Sequence, residues 1–319
     1  MKFIYSFNLR SVLIILLLIT SRQIIATENT AEQIPPIDDG PYVFEHSIKG
    51  KQAHWICKSQ LITQDGITRA DNNKAQENEV LTRGSVNNQT FEKPELCQSN
   101  PTASVTINTL NIGKDEYQNI ESIVALSDVH GRFDVLITLL KNHKIIDKHN
   151  NWFFGKGHMV ITGDVFDRGP QVNEVLWLLY KLEKQALSAG GRIHLLMGNH
   201  EQMVLRGDLR YVHAKYQLAE KFLNRSYDQL YNQHTEIGQW LRSKNTIVKL
   251  NNTLFLHGGI STEWLKYKLN ITEANQLLRD HIDDNKEALK SNDVLQFLFR
   301  SNGPTWYRGF FNDEYSEQD

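Results

Sequence analysis

The chain has 319 residues, 40% of them hydrophobic, which is enough for one large domain with additions around a sizeable core. Lys+Arg (35) and Asp+Glu (37) nearly balance, leaving a net charge of −2 with no basic or acidic block. That balance offers no footing for nucleic acid or another polyanion. At the start, Lys2 and Arg10 give a positive segment ahead of an apolar run over residues 12–19 that is eight residues long, far short of the roughly 20 needed to span a bilayer. With Ala26 as cleavage residue and Ile24 two before it, residues 1–26 read as an export signal. The protein is then expected to be periplasmic or secreted, with no stable membrane span after cleavage; an uncleaved anchor starting near Phe3 is the alternative. Residues 27–40, polar and carrying Pro35, Pro36 and Gly40, read as a linker. Residues 41–115 read as a small β-rich segment with apolar runs at 42–44, 55–57 and 104–107 and a polar loop over 65–88. In an exported chain the two cysteines, Cys57 and Cys97, are candidates for a disulfide; two buried thiols are the alternative.

From residue 120 strands and helices alternate. Residues 123–126 predict a buried strand ending at Ser127-Asp128, and Phe133, Leu136, Ile137 and Leu140 recur with helical period. A second strand over 159–162 ends at Gly163-Asp164. Val172, Val175, Leu176, Leu179 and Leu182 form the next helical stripe, closed by Gly190-Gly191. A third strand over 193–197 ends at Gly198-Asn199. This β-α-β-α-β order predicts a parallel sheet with right-handed crossovers, and such sheets place ligands beyond the carboxyl ends of their strands. Residues 206–244 read as a polar and aromatic helical insertion. Residues 246–250 and 253–256, joined by Asn251-Asn252, predict a β-hairpin running into His257-Gly258-Gly259. A helix over 272–289 follows, with Thr272 as its N-cap.

Four clusters fall just past predicted strands: Asp128-Val-His130-Gly131, Gly163-Asp164-Val-Phe-Asp167-Arg168-Gly169, Gly198-Asn199-His200-Glu201 and His257-Gly258-Gly259. Each alone has a structural explanation: an acid capping the next helix, an Asn in a turn, a histidine satisfied in the core. Four in order along one α/β pattern point instead to a shared site. Carboxylate, imidazole and amide ligands without thiolate suit borderline or hard divalent metals such as Zn, Mn, Fe or Co.

With Asp-Arg-Gly after the second strand and Asn-His-Glu after the third, the sequence resembles the calcineurin-like metallophosphoesterases, and within them the phosphoprotein phosphatase branch with its bacterial relatives. The resemblance covers about residues 120–308. It implies an α/β fold, a sandwich of two mixed β-sheets flanked by helices, over residues 120–319. It also implies a cofactor of two divalent metal ions (Mn, Fe or Zn) that activate a water for attack on phosphorus. Asp128 and His130 would bind the first metal, Asp164 would bridge, and Asn199 and His257 would bind the second. His200, held by Asp167, would protonate the leaving group; Arg168 would grip the phosphate, and Glu201 would support the site from behind. Arg308 lies where the family often has a second phosphate-binding arginine; a structural arginine after an aromatic stretch is the alternative.

The family has one more second-metal ligand, a histidine in a late Gly-His or Ala-His motif. The residues after Arg308 contain no histidine, and His281 precedes that arginine. The expectation is therefore a chain that stops before its last ligand, as a fragment, a frameshifted product or a degenerate paralogue. The implied activity is hydrolysis of phosphomonoesters, a phosphorylated protein or peptide first. A small-molecule or dinucleoside polyphosphate hydrolase, and a pseudophosphatase that binds without turnover, are the alternatives.

Overall fold

The computed structural model describes residues 36–46, 50–68, 89–102 and 104–311. The expected export signal, most of the expected linker and most of the polar loop lie outside the described residues. The N-terminal part is β-rich as its short apolar runs predict. Strands β1 (Asp39–His46), β2 (Gly50–Cys57) and β3 (Gln60–Asp65) form an antiparallel meander. Strands β4 (Ile67–Thr68), β5 (Gln89–Phe91) and β6 (Val105–Thr106) form a second small antiparallel sheet. Their core side chains include Trp55, Ile56, Phe91 and Ile107. Cys57 and Cys97 are bonded to each other, with Cα atoms 4.7 Å apart.

Strand β1 begins inside the stretch expected to be linker. The polarity of residues 27–40 is misleading there, because Asp39 is a buried acid: it accepts from the Tyr42 hydroxyl at 2.8 Å and lies 3.4 Å from Lys215 Nζ. Lys215 also reaches Glu174 at 3.3 Å. The Trp177 indole donates to Pro41 O at 2.8 Å. A buried charged side chain must be paired, so this network fastens the β-rich segment to the helices behind the site.

The next strands are β7 (Glu116–Tyr117), β8 (Ile123–Leu126), β9 (His158–Ile161) and β10 (Arg192–Leu195). The last three pair in parallel, in the order β10-β9-β8, with helices α1 (Phe133–Asn142) and α2 (Val172–Ser188) as crossovers. Strand β9 is buried throughout, but β8 is not: Ile123 and Ala125 are exposed, and β8 stands at one edge of the three-stranded sheet, a position that an apolar run does not reveal. The predicted hairpin forms β11 (Val248–Leu250) and β12 (Thr253–Phe255), and β11 also pairs in parallel with β7. The two sheets meet over Val160, Leu196, Val248 and Leu250, with Tyr117, Ile120 and Phe255 at the margin.

Helices α3 (Asn199–Leu205), α4 (Lys215–Leu223) and α5 (Glu236–Arg242) follow β10; α6 (Glu263–Tyr267), α7 (Ile271–Asp280), α8 (Lys286–Lys290) and α9 (Asp293–Leu298) follow the hairpin. The helix expected over 272–289 is two helices. Its cap is Asn270, not Thr272: Asn270 accepts from Glu273 N at 2.9 Å while Glu273 reaches back to Asn270 N, a capping box. The Thr272 hydroxyl is bonded to Asp115.

Candidate metal centre

The carboxyl ends of β8, β9 and β10 and the end of β12 converge, and each delivers one of the four clusters. The backbone there is forced. Asp128, His130, Asp164, Asp167 and Arg168 all have positive φ, between 45° and 70°. Such a conformation costs about 1–3 kcal/mol per non-glycine residue and concentrates at functional sites. Gly198 has no room for a side chain, since a Cβ would collide with the Asp164 carboxylate and backbone. The Gly-Asn-His-Glu turn therefore sits directly on Asp164.

Asp164 is the hub. Its Oδ2 lies 3.4 Å from His257 Nε2 and 3.8 Å from the Nε2 of both His130 and His200. Asp128 Oδ1 lies 3.7 Å from His130 Nε2. Two groups able to hold a cation share Asp164: His130, Asp164 and His200; and Asp128, Asp164 and His257. Burial pushes the Asp164 carboxyl up to about 6, partly offset by the His200 backbone N–H and the His200 charge. The residues fit divalent cations. His130 Nδ1 is bonded to Phe166 O at 2.7 Å and His257 Nδ1 to Thr162 O at 3.0 Å; these backbone acceptors fix the tautomer that leaves Nε2 free to ligate. His130 Nε2 and Asn199 Oδ1 are buried without a hydrogen-bond partner, and such atoms are expensive to bury unless a ligand meets them.

His200 differs from the other two imidazoles. Its Nδ1 faces a carboxylate, Asp167 Oδ2, at 2.6 Å. Burial lowers its pKa, but the Asp167 bond and the charges of Asp164, Asp167 and Glu201 outweigh that and raise it. Burial lowers both His130 and His257. Arg168 is exposed and brings Nη2 to 3.4 Å from His200 Nε2. Arg308 also reaches the site, with Nη2 3.2 Å from His257 Nε2. Its segment is held there by Gly258 N donating to Pro304 O at 2.7 Å and by the Thr305 hydroxyl donating to Gln202 at 3.0 Å. His281 is bonded to Asp284 instead.

Glu201 is fully buried and accepts four backbone N–H groups: Asp164 and Gly198 on Oε2, Val165 and Phe166 on Oε1. It clamps the loop after β9 to the turn after β10. Sequence reading missed Tyr211, whose ring centroid lies 5.4 Å from that of His200; its closeness in the chain to Asn-His-Glu was the one available signal. Two cavities of about 340 and 510 Å³, both lined in part by α2 and by residues 101–114, contain none of these residues. The site is marked by its chemistry, not by depth.

The sequence profile described as calcineurin-like phosphoesterase matches residues 122–317. The chain belongs to the calcineurin-like phosphoesterase family. Among its solved relatives is a cold-active protein-tyrosine phosphatase of a psychrophilic Shewanella species: 49% identical, TM-score 0.79, covering 88% of this chain and 79% of that one. A curated relative, Shewanella-like protein phosphatase 1 of Plasmodium berghei, is 34% identical over 199 residues, 60% of this chain and 54% of its own. A symmetrical bis(5'-nucleosyl)-tetraphosphatase of Buchnera aphidicola is 26% identical over 190 residues, 57% of this chain and 58% of its own. The chain thus spans about half the length of the curated relatives it matches. The α/β fold of this phosphoesterase family, with its mixed sheets and flanking helices, is the one expected above.

Proposed function

We propose that this phosphoesterase hydrolyses phosphomonoesters, phosphorylated protein first among them, in a site that holds two divalent cations about Asp164. The observation that carries the reading is the division among three imidazoles. His130 and His257 rest on backbone carbonyls and are pushed toward the neutral form that ligates metal; His200 rests on Asp167 and is pushed toward the protonated form. Environments that drive like groups apart in pKa mark acid and ligand roles. Asp128, His130, Asp164, Asn199 and His257 would hold the cations. The chemistry such a pair supplies is neutralisation of phosphate oxygens and acidification of water.

The chain's own residues do the rest. Asp167 fixes the His200 ring, so that Nε2 carries the proton to the departing oxygen. Arg168 offers a planar two-pronged donor to the phosphate, and Arg308 a second. Glu201 keeps the Asp164 and Asn199 loops in register. The Shewanella and Plasmodium relatives, both named as protein phosphatases, support a protein substrate; the Buchnera tetraphosphatase is the more distant match. The disulfide between Cys57 and Cys97 is consistent with an exported protein.

Phosphate release by the full chain, supplied with Mn²⁺, tests the reading on phosphopeptides beside a dinucleoside tetraphosphate. Faster turnover of the phosphopeptides is expected, abolished by a chelator and restored by metal. Preference for the nucleotide, or metal binding without turnover of either, contradicts it.

A further inference from the structure

We infer that Tyr211 is a specificity-determining residue that contacts the leaving group and favours aryl over alkyl phosphates; this rests on the proposed acid role of His200. Nδ1 of His200 is occupied by Asp167, so Nε2 is the atom that meets the departing oxygen. A proton donor must come within hydrogen-bond reach of that oxygen. Whatever group the oxygen carries then lies beside the His200 ring, where Tyr211 already stands, 5.4 Å between centroids and inclined by 53°. Tyr211 is 47% exposed and so has surface for a ligand to cover.

The loop that carries the ring is tied to the site through its backbone. Its backbone carbonyl accepts the Arg168 N–H at 2.8 Å, which ties the loop to the arginine that faces His200. The Arg210 guanidinium lies 5.5 Å from the ring centroid, itself held by two bonds to Asp208 at 2.8 and 2.7 Å. A loop already anchored lowers the ordering cost of binding. A phenyl ring bonded directly to the departing oxygen would bring a π-face beside the Tyr211 ring, and aromatic pairs favour offset or edge-to-face contact within about 4.5–7 Å. A seryl group presents one methylene there and gains much less. The contact is made by the bound substrate as well as during reaction, so its loss should fall on KM more than on kcat.

The test compares the full chain with Mn²⁺ on two peptides of the same sequence, one phosphorylated on Tyr and one on Ser. Tyr211→Ala should lower kcat/KM about tenfold for the phosphotyrosyl peptide, mostly through KM, and about twofold for the phosphoseryl peptide. Tyr211→Phe keeps the ring and should restore the phosphotyrosyl value to within about twofold of wild type. With an active wild type, equal losses on both peptides, no loss on either, or failure of Phe to rescue would overturn the role of Tyr211 alone. A wild type that releases phosphate from neither peptide would overturn the phosphomonoesterase reading beneath it, and this inference with it.

Discussion

Asp164 donates its backbone N–H to Glu201 Oε2 at 2.8 Å, so the residue at the hub of the candidate metal centre is held through its main chain by an acid that faces no substrate. The same carboxylate takes the N–H groups of Val165, Phe166 and Gly198. Glu201→Gln would turn one end of this acceptor into a donor aimed at backbone donors. Leaving buried N–H groups unsatisfied costs about 1–3 kcal/mol each. We expect a loss of about 2–4 kcal/mol in urea unfolding, and metal affinity lower by about 10–100-fold, the range for groups that orient ligands. Wild-type stability and wild-type metal affinity together would contradict this role.

His200→Asn removes the proposed proton donor. The rate should fall by about 10²–10⁴ for substrates with poor leaving groups. Activated aryl phosphates need little protonation and should lose far less. Rates across a leaving-group series check this, and an equal loss along the series would remove His200 from the acid role.

His194 and His158, on neighbouring strands, bring Nε2 and Nδ1 to 3.0 Å in a buried pair. Burial first, then the charges of His158, Arg192 and Lys244, push His194 down to about 3. In the unfolded chain an imidazole titrates near 6.5, roughly its model-peptide value. Between those values the unfolded chain binds a proton that the folded chain refuses, so stability is full above about pH 6.5 and declines as pH falls toward 3. Against its own value at pH 7.5, His194→Gln should show a shallower fall in Tm between pH 6.5 and 4. A slope as steep as that of wild type would show that this pair does not set the acid limb.

Lys215 stands between two buried acids, Asp39 of β1 and Glu174 of α2. Lys215→Met would leave both carboxyls without their cation, and breaking a buried pair in this way costs about 3–5 kcal/mol. Denaturant unfolding should register the loss as a lower midpoint. A change under about 1 kcal/mol would mean that this network does not secure the N-terminal strands.

The grouping of the candidate site was legible because its motifs are local. A strand followed at once by Asp, Gly-Asp or Gly-Asn places a candidate ligand by chain order alone; Asp128, His130, Asp164, His200 and His257 lie together where the strands end, and Asn199 is buried on the turn beside them. The capping box at Asn270 and Glu273 was equally local and was overlooked in favour of Thr272. What could not be read was long-range. Nothing near Asp39 announces Lys215, so a buried strand looked like linker. Residues 123–126 look as apolar as a central strand, yet β8 is an edge. Glu201 shows as an acid at a helix start, and its bond to Gly198 is local, but its other three backbone partners, Asp164, Val165 and Phe166, lie in the loop after β9 that only the fold brings to it.

The central claim is that Asp164 is shared by two cations. Calorimetric titration of Mn²⁺ into the chelator-treated full chain, beside Asp164→Asn, tests it most directly. The account predicts two cations per wild-type chain, and loss of tight binding at both sites together with phosphatase activity in the variant. An Asp164→Asn chain that binds two cations as tightly as wild type and turns over normally would contradict it.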